Sequence, residues 1–156
     1  MHILLQCFLL SLSVHSQDGA LTLQHALQHQ LGGHKYIIMA VDYFKKWVEA
    51  MPTIKNDGEA IAIFIFNQVN ARFRTPRQIV TNHGTHFEND MMKELAAKLG
   101  FRHDQSSHYY PQSNGQVEAV NKVVKTMLQR KVKKHRTNWN FMLFPVLWAY
   151  QKDTFC

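Results

Sequence analysis

Tyr109-Tyr110-Pro111-Gln112-Ser113-Asn114-Gly115-Gln116-Val117-Glu118 is the stretch on which the reading of this chain turns. Its first seven residues have the Pro, Ser, Asn and Gly composition of a loop. From Gln116 the pattern changes. Val117, Val120, Val124, Met127 and Leu128 recur at helical spacing, which predicts the longest helix of the chain, from Gln116 to about His135. That stripe leaves Glu118, Asn121, Lys122 and Lys125 on a different, polar face.

Upstream, short apolar runs alternate with helical ones. Tyr36 to Val41 reads as a strand, with Trp47 to Met51 as its hairpin partner, closed by Pro52. Asp57-Gly58-Glu59 opens a helix carrying Ile61, Phe64, Ile65, Val69 and Phe73, and Pro76 follows its end. Ile79-Val80 is a short strand, Met91 to Leu99 a helix stopped by Gly100, and Phe101 to Ser107 a further strand. A last helix spans Trp139 to Tyr150. Strands alternating with helices predict an α/β fold.

The chain has 156 residues, 46% of them hydrophobic and 19% charged, enough for one globular domain and unlike a disordered tail. Eighteen Lys and Arg against eleven Asp and Glu leave a net charge of +7, which favours a polyanionic partner. Cys7 and Cys156 stand at opposite ends and supply neither a disulfide framework nor a Cys-based zinc cluster. The apolar run Ile3 to Val14 is shorter than the ~20 residues that cross a bilayer. It could serve as the core of a secretory signal ending near Ser16, which leaves a small secreted protein as an alternative class.

Three segments carry a resemblance: "HKYIIMAVDYFKKWVEAMPT", "PRQIVTNHGTHFEN" and "YYPQSNGQVEAVNKVVKTML". Together they resemble the catalytic core of retroviral-type integrases, most closely that of gypsy-type LTR retrotransposons of plants. The resemblance covers about Gly33 to Tyr150. It implies a ribonuclease H-like mixed sheet flanked by helices, a DNA strand transferase or endonuclease activity, and two Mg²⁺ held by two Asp and one Glu. Hard carboxylate oxygens suit Mg²⁺, and a metal pair stabilises both the attacking and the leaving oxygens of a phosphoryl displacement.

Carried over residue by residue, the third acid is Glu118. The second falls on position 82, since 118 − 82 − 1 = 35 intervening residues, and that position is Asn82. An amide keeps a carbonyl ligand but loses the charge that offsets stripping water from the cation. The first Asp of the family lies on a strand upstream of Tyr36, about twenty residues before Val41-Asp42-Tyr43. No acid stands in the corresponding stretch around Leu21, so that first strand is expected to be missing or replaced. Asp42 preserves the chain order Asp42, Asn82, Glu118 and is the substitute candidate, although in the family it falls on the second strand, where a turn-side acceptor or solvated charge is the plainer reading.

The resemblance further assigns DNA contacts to Lys122 and Lys125, a place beside the catalytic Glu to Asn121, and a DNA-end loop to Tyr109, Gln112 and Asn114, where an aromatic can stack on a base. The plainer readings are a solvated helix face and an ordinary loop. The basic run from Arg130 to Arg136 fits phosphate contacts, nuclear import, or cations at a helix C-terminus. His83 and His86 belong to the glycine turn. Trp139, Phe141, Phe144, Trp148 and Tyr150 read as core or subunit interface.

The expected organisation is an unmatched leader over 1–32, a core-like domain over 33–150, and a divergent end over 151–156. The expected function is that of a retrotransposon-derived integrase core that has lost two of three metal carboxylates, is catalytically inactive, binds DNA largely without sequence preference, can dimerise through the core, and acts in the nucleus.

Overall fold

A computed structural model describes residues 2–4, 33–42, 47–81, 87–105, 111–135 and 139–155. Five strands form one sheet: β1 (His2–Leu4), β2 (Tyr36–Asp42), β3 (Val48–Thr53), β4 (Gln78–Thr81) and β5 (Arg102–Gln105), in the spatial order β3-β2-β1-β4-β5. β1 runs antiparallel to β2 and parallel to β4, while β4 and β5 are parallel, so the sheet is mixed.

The position left open as missing or replaced is therefore filled. His2–Leu4 supply the central strand, pairing Ile3 with Asp42 on one side and with Ile79 on the other. The apolar run that is too short for a membrane begins within this strand. No helix among the described residues is long and apolar enough to cross a membrane.

Side chains of β2 alternate between two cores. Ile37, Met39 and Val41, with Val48 and Ala50 of β3, pack against Val120, Val124 and Leu128 of α4 (Pro111–His135) and against Trp139, Leu143, Val146 and Leu147 of α5 (Trp139–Phe155). Ile38 and Ala40, with Ile79 of β4, pack on the other face against Ile61 and Phe64 of α1 (Gly58–Phe64), Ile65 and Val69 of the π-helical turn Ile65–Asn70 that continues it, and Met92 of α3 (Asp90–Leu99). The three-residue α2 (Ala71–Phe73) closes the first helical stretch. Helices thus cover both faces.

Local chemistry sets the helix ends. Asp57 accepts from Ala60 N at 3.0 Å and Asn89 from Met92 N at 2.8 Å, side-chain caps for α1 and α3. Gly100, at φ 74 and ψ 31, ends α3 in the left-handed conformation that glycine adopts freely. α4 begins five residues before its expected start. Pro111 occupies the first helical position, where its fixed φ suits a helix and its missing N–H costs nothing, so the segment from Pro111 to Gly115 is helical and not loop. α5 likewise runs to Phe155. Its Gln151 Nε2 donates to Val48 O at 2.6 Å, covering a carbonyl on edge strand β3.

Arg74, just after α2, has φ 72 and ψ 169, a region that is essentially glycine-only. Such a conformation costs about 1–3 kcal/mol, and glycine returns part of the gain through its freer unfolded chain. Arg74→Gly should therefore stabilise the protein by about 1 kcal/mol net, raising Tm by roughly 2–4 °C in a thermal melt. An unchanged or lower Tm would remove the strain argument.

Candidate nucleic-acid interface and metal site

The sheet register fixes where Asp42 stands. Asp42 and Ile79 both pair with Ile3, so they are level, on strands two inter-strand spacings apart. Thr81, the last residue of β4, lies two residues further along. At ~4.8 Å between strands and ~3.3 Å per residue, Asp42 is about 12 Å from Thr81. Strand alternation also puts Asp42 opposite to Val41, on the sheet face covered by α1 and α3, whereas α4 lies on the other face. Asp42 and the helix bearing Glu118 are thus separated by the sheet.

Glu118 stands in the third turn of α4, described here by its backbone, as are Gln112 and Asn114 in the first turn. Asn82, with its neighbours 83–86, and Tyr109 lie outside the described residues. Further along α4 the two lysines differ: Lys122 is exposed and Lys125 half-buried. Asn121 is buried at 7% exposure, and neither of its amide atoms meets a hydrogen-bond partner among the described residues. Arg130 and Lys131 of the basic run are exposed.

Among the described residues no group of three His, Cys, Asp or Glu is arranged to hold a metal ion. Of the three positions that the resemblance implies for the two-Mg²⁺ site, the sequence has an amide at position 82, and Asp42 lies on the sheet face away from α4.

Sequence reasoning missed a polar pair at the end of β4. Thr81 is fully buried, and its hydroxyl lies 2.9 Å from His103 Nε2 on β5. The signal was available only in the pairing of the strands, which sets His103 opposite Ile79 and within reach of the next inward residue on that face. Burial pulls the His103 imidazole below its usual value, while the charges of Asp104 and Glu88 pull it up. The fold thus favours the neutral ring. Its stabilising contribution is complete above the ordinary imidazole value of about 6.5 and is lost as pH falls through the lower folded value. Tm should fall as pH drops below about 6.5, and His103→Gln should flatten that part of the profile. A histidine variant as acid-sensitive as the unmodified chain would assign the loss to other groups.

The aromatic residues of α5 divide. Trp139 is buried at 2% exposure, whereas Phe141, Phe144 and Trp148 are exposed at 67%, 54% and 65%. Lys152 Nζ sits 5.5 Å from the Trp148 ring centre. At the start of β3, Glu49 accepts from Trp47 Nε1 at 2.7 Å and pairs with Arg72 at 2.8 Å, tying the edge strand to α2.

No protein-family model matches the chain. Curated relatives do. The Pol polyprotein of feline endogenous virus ECE1 is 36% identical over 98 residues, which is 63% of this chain and 9% of that protein. The Gag-Pol polyprotein of baboon endogenous virus (strain M7) is also 36% identical over 98 residues, 6% of its length. The Pol polyprotein of radiation murine leukemia virus (strain Kaplan) is 33% identical over 100 residues, 17% of its length. The chain thus spans less than a fifth of the relatives it matches.

Among solved structures, the simian T-cell lymphotropic virus intasome in complex with PP2A regulatory subunit B56 gamma contains a chain that superposes with a TM-score of 0.66 at 23% identity, covering 72% of this chain and 41% of that one. The HTLV-2 integrase catalytic core domain, in complex with magnesium in a trimeric form, gives 0.61 at 20% identity, covering 73% and 72%. The five-stranded mixed sheet with helices on both faces is therefore the ribonuclease H-like fold of retroviral integrase catalytic cores, carried by a chain similar in sequence to a segment of retroviral Pol polyproteins.

Proposed function

We propose that this chain is a retroelement-derived integrase core, of the gypsy type seen in plants, that binds DNA through its basic surface and does not catalyse strand transfer. The observation that carries the reading is the combination of 36% identity to a Pol segment with an amide at position 82. Lys122 and Lys125 supply the phosphate contacts, and Tyr109, Gln112 and Asn114 the flank that meets a DNA end. The role in DNA integration belongs to the ancestry of the fold, the place of action to the nucleus, and self-association through the core follows the oligomeric neighbours.

Binding should be weak, insensitive to sequence and strongly salt-dependent, because phosphate contacts fix a duplex without reading its bases. Fluorescence anisotropy with a labelled duplex between ~50 and ~200 mM salt tests this. A Kd that does not rise with salt, or a preference of more than about tenfold among unrelated sequences, would contradict the electrostatic account.

A further inference from the structure

The strained turn after α2 exposes cations at the end of the sheet where β4 begins. Arg74 and Arg77 are both exposed, and neither guanidinium forms an ion pair among the described residues. The turn that displays them is tied down twice by Asn70, whose carbonyl accepts from Arg74 N at 3.1 Å and whose Oδ1 accepts from Thr75 Oγ1 at 2.6 Å. Buried Pro76 follows. A glycine would take this conformation without strain; here an arginine is held in it, and strain of this kind concentrates at functional positions.

Strand pairing adds a third guanidinium. Arg102 N donates to Arg77 O at 3.0 Å, so Arg102, itself shared with Asp104, begins β5 beside the turn. All three stand at the N-terminal ends of the parallel strands β4 and β5. Thr81, at the C-terminal end of β4, is three residues from Gln78, about 10 Å away at ~3.3 Å per residue.

We propose that Arg74 and Arg77, with Arg102 beside them, form a second phosphate-contacting surface for a nucleic-acid backbone, separate from the lysines of α4. A guanidinium offers a planar fork of donors that matches a phosphate bidentately, and it stays charged at every working pH. The inference rests on the DNA-binding reading above and adds residues to it.

The test is the salt dependence of duplex binding by the full chain, read by anisotropy. Each lost phosphate contact lowers the slope of log K against log[salt] by about 0.9. Arg74→Gly/Arg77→Gln should lower it by about 1.8, while the Arg74→Gly substitution raises Tm, so the loss cannot be ascribed to unfolding. Lys122→Gln/Lys125→Gln should lower the slope independently, and the two losses should add. A slope unchanged in the arginine variant but reduced in the lysine variant would overturn the second surface and leave the DNA-binding reading standing. Absence of salt-dependent binding by the unmodified chain would overturn both. With polyglutamate as the probe, a loss confined to that polymer would overturn the proposal in favour of an acidic peptide partner.

Discussion

Asn82→Asp alone should leave the chain without detectable cleavage or joining of a labelled DNA end in Mg²⁺. The reversion restores one of the two acids that the resemblance implies are lost, while Asp42 stands about 12 Å from the end of β4 and on the sheet face away from α4, a poor place for the first ligand. Two carboxylates would not hold the metal pair that in-line displacement needs.

Activity should require a second acid on the central strand. A family-type first strand bearing its Asp, grafted in place of the leader, together with Asn82→Asp is accordingly the variant to assay, with Glu118→Ala in that background as the control that abolishes any gain. Turnover from Asn82→Asp alone, lost on Asp42→Ala, would promote Asp42 to the site and break this account.

The second large effect is on stability. Phe64 is fully buried in the core that joins α1 to β2, β4 and α3. Truncation of such a ring costs about 3–5 kcal/mol through lost burial and the cavity left behind. Against a typical total of about 5–15 kcal/mol, Phe64→Ala should bring the chain close to unfolding at 37 °C. Urea denaturation followed by tryptophan fluorescence should show the midpoint falling with an unchanged slope. A shift of less than about 1 kcal/mol would mean that this core does not hold the two helices to the sheet.

Much of this fold is legible in the residues because periodicity reports burial. The Tyr36 and Trp47 runs, the helix with apolar positions Ile61 to Phe73, and the Gly100 stop all appear where spacing and turn chemistry place them. Two features were not legible. His2–Leu4 is too short to show a strand pattern, and only its pairing with β2 and β4 identifies it as the centre of the sheet. The Pro111 to Gly115 segment has loop composition, yet a proline at the first helical position and twenty further helical residues carry it into α4.

The candidate site divides in the same way. Glu118 and the lysines that follow it can be read from helical spacing, but whether Asp42 joins them is a question of sheet face and register. Both depend on which strand lies between β2 and β4. The Thr81–His103 pair is invisible to local pattern for the same reason, since it joins residues 22 apart through the β4–β5 ladder.

The most direct test of the central claim is a single gel assay in which the unmodified chain is incubated with a labelled DNA end in Mg²⁺ at low salt. Retained, shifted duplex with no cleaved or joined product is the result expected of a DNA-binding core without a three-carboxylate site. Product that accumulates with the unmodified chain and disappears on Glu118→Ala would show that the metal site is intact and contradict the account.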